Sequence, residues 1–148
     1  MGYWKKILLF SAAVLFFSAN LISCGTDSGS VVINQPDQYR HIYEANEKII
    51  LTAAARIFRD KAMGRNVKID LERKQVETDY AVEGEWRTKS ILKVKKINWK
   101  EREVVLSVIT EKRTENGWEM RRLLEKEQYV SLFDKIDLAI YEEMSKVQ

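Results

Sequence analysis

Cysteine, histidine and proline each occur once in this chain of 148 residues. A single cysteine excludes an intramolecular disulfide, so a folded domain has to be stabilised by its core alone. A single histidine, His41, excludes the histidine clusters that hold many metal ions. The later glycines, Gly64, Gly84 and Gly117, stand far apart and form no phosphate-binding loop. We therefore predict no cofactor and no metal, and no motif in the sequence assigns a catalytic residue.

A strong excess of charge is also lacking. The formal net charge is +3, and two of these charges belong to Lys5 and Lys6 near the N-terminus. The rest of the chain is close to neutral, whereas a nucleic-acid-binding domain usually carries a clustered basic surface. We therefore predict no nucleic-acid partner.

No hydrophobic run is long enough for a comfortable membrane span. Residues 7–17 are almost wholly apolar, but a transmembrane helix needs about 20 such residues. Lys5 and Lys6 precede this stretch, and small residues follow it. This order of a positive start, a short apolar core and small residues is typical of a secretory signal.

The segment closes with Leu21, Ile22, Ser23 and Cys24. This run resembles the lipobox of bacterial lipoprotein signals, in which an aliphatic residue and a small residue precede the cysteine. The resemblance implies that residues 1–23 are removed and that the Cys24 thiol carries lipid, which would make the membrane a partner. Two or three acyl chains give stable anchoring. The alternatives are an ordinary cleaved signal, or a retained membrane anchor, with a chance cysteine.

The residues after the cysteine bear on location and organisation. Residue 25 is glycine, whereas an aspartate directly after the cysteine resembles an inner-membrane retention signal of enteric-type bacteria. We therefore predict a cell-envelope protein, lipid-anchored in the outer membrane and facing the periplasm. Residues 24–36 are mostly small and polar and predict a flexible tether. Residues 37–148 suit a single domain with a modest core.

Two helices are predicted from apolar spacing of three and four residues. The first covers residues 37–63 and is followed by Gly64, a plausible C-terminal cap. The second covers residues 131–146, where Ser131 and Asp134 resemble a capping box. The apolar stripe of the first helix includes Tyr39, Ile42, Tyr43, Ile49, Ile50, Ala53, Ile57 and Phe58.

Between the helices the apolar period changes to two, which predicts antiparallel strands. The strands are expected at residues 67–71, 76–86, 88–97, 103–113 and 118–127. We therefore predict an α+β fold, a two-layer sandwich in which a four- to five-stranded antiparallel sheet carries the N-terminal and the C-terminal helix on one face.

Charge pairing predicts the register of the last hairpin. A three-residue loop at residues 115–117 places Arg113 opposite Glu119 and Glu111 opposite Arg121. A two-residue loop at residues 116–117 would instead place Lys112 opposite Arg121. Like charges directly opposite each other destabilise a strand pair. The longer loop is therefore expected.

The order of elements resembles the helix-grip modules of BamC-like envelope lipoproteins. The resemblance extends over residues 42–144: a helix ends at Gly64, strands start near Val67 and Val76, and a long hairpin and a C-terminal helix follow Trp86. It lies in the pattern of elements and not in a specific motif, so no functional residues carry over. It implies a helix-grip fold and a role among other proteins of the envelope.

One stretch offers a candidate partner surface. Trp99 stands in an otherwise polar turn, and Lys89, Lys93 and Lys95 alternate along the strand at residues 88–97. An exposed aromatic residue beside basic groups suits a binding surface. The alternatives are that the tryptophan covers the end of the core and that the lysines form a solvated face of weak ion pairs, each worth about 0–1 kcal/mol.

These observations favour a non-enzymatic, membrane-anchored envelope lipoprotein that acts as a protein-interaction or assembly module. Its partners would be other envelope proteins. The alternative is a carrier that binds lipid or a small molecule in a cavity between helix and sheet. An enzyme would need converging catalytic groups, and the sequence marks none.

The lipid anchor is directly testable. In cells fed a palmitate analogue, the wild-type chain should be labelled and the Cys24→Ala chain should not, because the thiol is the group that accepts the lipid. Labelled protein is detected by click chemistry on the immunoprecipitated chain. Label that persists on the Cys24→Ala chain would refute the anchor.

Overall fold

The computed structural model describes residues 30–146. Within this range, two helices pack on one face of a single antiparallel sheet of eight strands. The helices are α1 (Glu47–Asp60) and α2 (Lys126–Ser145). The strands are β1 (Val31–Val32), β2 (Tyr39–Tyr43), β3 (Arg65–Asp70), β4 (Gln75–Asp79), β5 (Ala81–Glu83), β6 (Trp86–Lys96), β7 (Arg102–Thr114) and β8 (Gly117–Arg122).

The long strands β6 and β7 form the centre of the sheet. The sheet order is β1-β8-β7-β6-β4-β3, while β2 also pairs with β7 and β5 also pairs with β6. The pairing of β6 with β7 runs without a break from Trp86 opposite Lys112 to Lys96 opposite Arg102. On its other side, β7 pairs with β2 in its first half and with β8 in its second half.

The predicted four- to five-stranded sheet is wrong, although the chain is α+β. Three segments add strands. Residues 31–32 form β1 and residues 39–43 form β2, both before the first helix. The strand expected at residues 76–86 is interrupted at Tyr80, which separates β4 from β5.

The strand β2 replaces the first turns of the expected helix at residues 37–63. The apolar residues of β2 also fit a helical spacing, but aromatic and β-branched residues favour strands when a partner strand is present. The partner is β7, and β2 also contacts α2. The Tyr43 phenol donates a hydrogen bond of 2.9 Å to the Phe133 carbonyl oxygen, and the Tyr39 ring stacks on Tyr129 with centroids 3.9 Å apart.

Helix α1 therefore begins later than expected, after an asparagine cap. The Asn46 side chain accepts a hydrogen bond of 2.9 Å from the backbone amide of Ile49. The inward face of the helix is fully or almost fully buried and includes the three consecutive alanines at residues 53–55. Their small side chains allow other core elements to approach the helix closely.

Helix α2 begins at Lys126, before the expected start at Ser131. The capping box forms between Glu125 and Gln128, each side chain accepting a hydrogen bond from the other residue's backbone amide. The last strand accordingly ends at Arg122 and not at residue 127.

The predicted register of the last hairpin is wrong by one residue. Arg113 faces Trp118 and Glu111 faces Met120, so the loop consists of residues 115–116. A slip of one residue moves every side chain of a strand to the opposite face of the sheet. The reason for the observed choice lies on the outer face, which is the face away from the helices.

On that outer face the Arg87 guanidinium lies between two aromatic rings. It is 4.3 Å from the ring centroid of Tyr80 and 4.4 Å from that of Trp118, and it pairs with the Glu111 carboxylate. These cation–π contacts require Trp118 on the outer face. The prediction from charge pairing compared only the two strands of the hairpin, so it did not include these contacts with Arg87 of β6.

The core lies between the inner face of the sheet and the two helices. Val76, Leu92, Val104 and Leu106 are fully buried there. Two polar residues within it have hydrogen bonds: the Ser90 amide donates to Thr78 Oγ1 at 2.9 Å, and Ser90 Oγ donates to a backbone carbonyl oxygen at 2.6 Å. Burial of these polar groups is tolerated because they are satisfied.

Gly64 should be the glycine most sensitive to substitution. Its φ is +145°, and an added Cβ would lie 1.9 Å from Thr78 Oγ1, which is buried and hydrogen-bonded. Gly84 has φ +58° with nothing within 4 Å of such a Cβ, so Gly84→Ala should cost only the backbone strain of about 1 kcal/mol. Gly64→Ala should lower the free energy of unfolding by about 1–3 kcal/mol more than that, as measured by urea denaturation. Equal losses for the two variants would contradict the close packing at Gly64.

Candidate functional site

The predicted lipid attachment point, Cys24, lies outside the described residues. The predicted tether at residues 24–36 is partly described, and it contains β1. Within β1, Val31 pairs with Arg122. The Arg122 guanidinium also binds the Asp37 carboxylate through two hydrogen bonds of 2.5 and 2.7 Å, and this contact lowers the pKa of Asp37. The last part of the predicted tether is therefore attached to the edge of the sheet.

The three predicted lysines lie on the outer face of β6. Side chains alternate between the two faces of a strand. Leu92 and Val94 point into the core, so Lys89, Lys93 and Lys95 point away from it. The structure thus places the lysines on one face, as expected from their spacing.

Lys89 nevertheless differs from the other two. Its side chain is only 26% exposed, and its ammonium lies 3.6 Å from the Glu77 carboxylate. It is also about 20 Å along the strand from Lys95. Lys93 and Lys95 are exposed and lie near the end of β6, so the structure brings only these two towards Trp99.

Trp99 occupies the loop between β6 and β7, and it is 84% exposed. It therefore does not cover the core. The residue before it organises the loop: Asn98 Oδ1 accepts hydrogen bonds of 2.8 Å from the backbone amides of Lys100 and Glu101. Asn98 Nδ2 donates to the Glu101 carboxylate at 2.6 Å. The backbone that carries the tryptophan is held by its own neighbours.

Two further cations stabilise the same loop. Arg102 Nη1 donates hydrogen bonds to the carbonyl oxygens of Asn98 and Glu101, at 2.8 and 3.0 Å. The Lys100 ammonium lies 2.5 Å from the Glu44 carboxylate, and this hydrogen bond raises the pKa of Lys100. The loop is thus attached both to its own base and to the segment that precedes α1.

Two apolar residues extend the exposed surface beside Trp99. Ile97 is 48% exposed and follows Lys95 by two residues, so strand alternation puts it towards the same face. Ile42 of β2 is 53% exposed and lies opposite Glu103 of β7, which lies opposite Lys95 of β6. We call the set of Ile42, Lys93, Lys95, Ile97 and Trp99 the Trp99 surface.

The charge of the Trp99 surface is incompletely balanced. Lys93 lies opposite Gln75 and Val105, neither of which is charged. Glu103 lies opposite Lys95, but its carboxylate is also 3.6 Å from the Arg40 guanidinium. The surface therefore combines an exposed aromatic ring, two aliphatic side chains and a positive character.

Sequence reasoning missed Ile42 because it assigned that residue to the buried stripe of a helix. The available signal was the composition of residues 39–43, in which tyrosine and isoleucine are typical of strands. Only the pairing with β7 shows that Ile42 faces outward.

The carboxyl groups whose pKa values are shifted accept hydrogen bonds from cationic or amide side chains. Hydrogen bonds from Asn66 and Lys68 lower the pKa of Asp79, and a hydrogen bond from Lys146 lowers that of Glu143. A general acid near neutral pH needs the opposite shift. Across residues 30–146, no group of three or more histidine, cysteine, aspartate or glutamate side chains could hold a metal ion.

Neither helix of the described chain is long and apolar enough to cross a membrane. No protein-family model matches this sequence, and no curated protein resembles it significantly. A functional assignment therefore depends on the sequence patterns and on the geometry of the Trp99 surface.

The order of the loop depends on Asn98. In Asn98→Ala, the amides of Lys100 and Glu101 lose their acceptor, so their hydrogen exchange should become roughly tenfold faster. The measurement is exchange by NMR, with Asn116→Ala in the loop between β7 and β8 as the matched control. Unchanged exchange at both amides would show that the side chain of Asn98 does not hold the loop.

Proposed function

We propose that this chain is a non-enzymatic, membrane-anchored envelope lipoprotein and that it binds another envelope protein through the Trp99 surface. The observation that carries the proposal is the exposure of Trp99, at 84%, on a loop held by side-chain hydrogen bonds. A large aromatic side chain in water gains nothing for folding, and it becomes favourable when a partner covers it.

The stiffness of the loop supports a binding role. Tryptophan is among the residues that most often dominate the binding energy of protein interfaces. Association costs less when the contacting segment is already ordered. Asn98 and Arg102 supply that order before any partner arrives, because their hydrogen bonds lie within the loop and its base.

The charges suggest the chemistry of the partner. Lys93 and Lys95 flank the apolar residues with positive charge, so an acidic rim on the partner would complement them. Such complementarity mainly speeds association and excludes wrong partners. We therefore expect a partner with an apolar pocket or groove bordered by aspartate and glutamate.

The lipobox-like run that ends at Cys24 supports attachment to the membrane. The pairing of β1 leaves a short connection, since the chain between Cys24 and Ser30 can reach only about 20 Å. The domain would then act close to the bilayer surface, where its partners would also lie.

Site-specific crosslinking tests the interface. A photoreactive amino acid replaces Trp99 in the full-length chain expressed in its native envelope, and the control places it at Leu138 of α2, which is 62% exposed. A discrete crosslinked protein is expected from position 99 and not from position 138. The double change Lys93→Glu and Lys95→Glu should reduce its yield by about tenfold, because it places like charges at the interface.

The same experiment can refute the proposal. Equal crosslinking from both positions would mean that the Trp99 surface has no specific partner. A yield that is unaffected by the two charge reversals would exclude an acidic partner at this surface.

A further inference from the structure

A groove of about 500 Å³ opens on the helix side of the sheet, far from the Trp99 loop. It lies between the C-terminal end of α1, the first turns of α2 and the inner face of β6 and β7. Its apolar lining comes from Met63, Val108, Leu123, Leu124 and Leu132.

The groove results from a gap in the pairing of β7. The strand β2 pairs with β7 up to Leu106, and β8 pairs with it from Thr110 onwards. Between these two stretches the Val108 amide donates a hydrogen bond of 3.3 Å to the Tyr129 hydroxyl instead of to a neighbouring strand. The link from β8 to α2, including Leu123, passes here and forms one wall.

The end of α1 forms the opposite wall. After Asp60 the chain turns through Ala62, whose φ is +49°, and the Met63 carbonyl oxygen accepts a hydrogen bond of 2.6 Å from Ser90 Oγ. This turn brings Met63 down onto the sheet. Thr88 of β6 and Thr110 of β7, on the inner face of the sheet, therefore also line the groove.

The rim of the groove is positively charged. Lys61 follows α1 and Lys135 lies on α2, and both line the groove. Lys135 Nζ donates a hydrogen bond of 3.0 Å to Ser131 Oγ. Among residues 30–146, no carboxylate lines this groove, and the ion pairs of the structure do not include either lysine. Lys61 and Lys135 also line the adjoining groove between the helices, together with Asp60 and Glu142.

We propose that this groove binds a single-chain amphiphile with an anionic head group, of the chemical class of a long-chain fatty acid. The aliphatic side chains would contact the hydrocarbon chain, and the two ammonium groups would bind the carboxylate. A methylene group occupies about the volume of a water molecule, roughly 30 Å³, so the groove has space for roughly 16 such groups. That number corresponds to one acyl chain and not to the two chains of a phospholipid.

The site is independent of the Trp99 surface. It lies on the opposite face of the sheet and shares no residue with that surface. Loss of either binding function would therefore leave the other intact.

Photoaffinity labelling tests the site. The full-length chain is placed in nanodiscs of uncharged lipid and is exposed to palmitate that carries a diazirine within its chain. Mass spectrometry then locates the crosslinks. We expect them in residues 61–63 and 123–132, and we expect excess palmitate to remove them at a concentration at least tenfold lower than the corresponding uncharged alcohol.

Two kinds of variant test the apolar groove and the two ammonium groups independently. Thr88→Phe fills the groove and should abolish the crosslinks. The double change Lys61→Glu and Lys135→Glu should weaken competition by palmitate at least tenfold, while Lys48→Glu, at an exposed position elsewhere on α1, should not change it. Circular dichroism verifies folding, and the lysine variants carry the test if Thr88→Phe does not fold.

Four results would overturn the proposal. Crosslinks confined to residues that do not line the groove, or an unchanged pattern in folded Thr88→Phe, would reject the groove as the site. Equal competition by the acid and the alcohol would reject the anionic head group. An unchanged response in the lysine variants would reject the role of the two ammonium groups.

Discussion

The pairing of β7 with strands on both of its sides is the constraint on which the rest of the structure depends. Its inner residues Val104 and Leu106 are fully buried under the helices. Its backbone hydrogen bonds to the neighbouring strands determine the positions of β6, β2 and β8, which come from separate parts of the sequence. Without β7 as a common partner, neither the N-terminal strands nor the last hairpin would have a place in the sheet.

Both candidate sites follow from features of this strand. The loop that carries Trp99 immediately precedes β7, and Arg102, the first residue of β7, binds the loop's carbonyl oxygens. The groove lies where the pairing of β7 passes from β2 to β8, next to Val108. The stable centre of the sheet thus positions two sites of different chemistry, one exposed and aromatic, the other concave and aliphatic.

Prediction from the sequence worked best for segments in which one face is buried and the other is exposed to solvent. The expected strands at residues 88–97 and 103–113 agree closely with β6 and β7, and Lys93 and Lys95 face outward as their alternation indicates. It failed at residues 39–43, because the apolar side chains there fit the period of a helix as well as that of a strand. The hairpin register failed because Arg87, which contacts Trp118, lies on a third strand.

The sequence by itself determined the α+β class, the approximate bounds of the central strands along the chain and the candidate residues Lys93, Lys95 and Trp99, because these depend on local periodicity and composition. It also carries the lipobox-like run at Cys24. Only the tertiary structure decided the eight-stranded sheet, the outward position of Ile42 and the groove beneath α2. Each of these depends on hydrogen bonds and packing between segments far apart in the chain, and local periodicity holds no information about such distant partners.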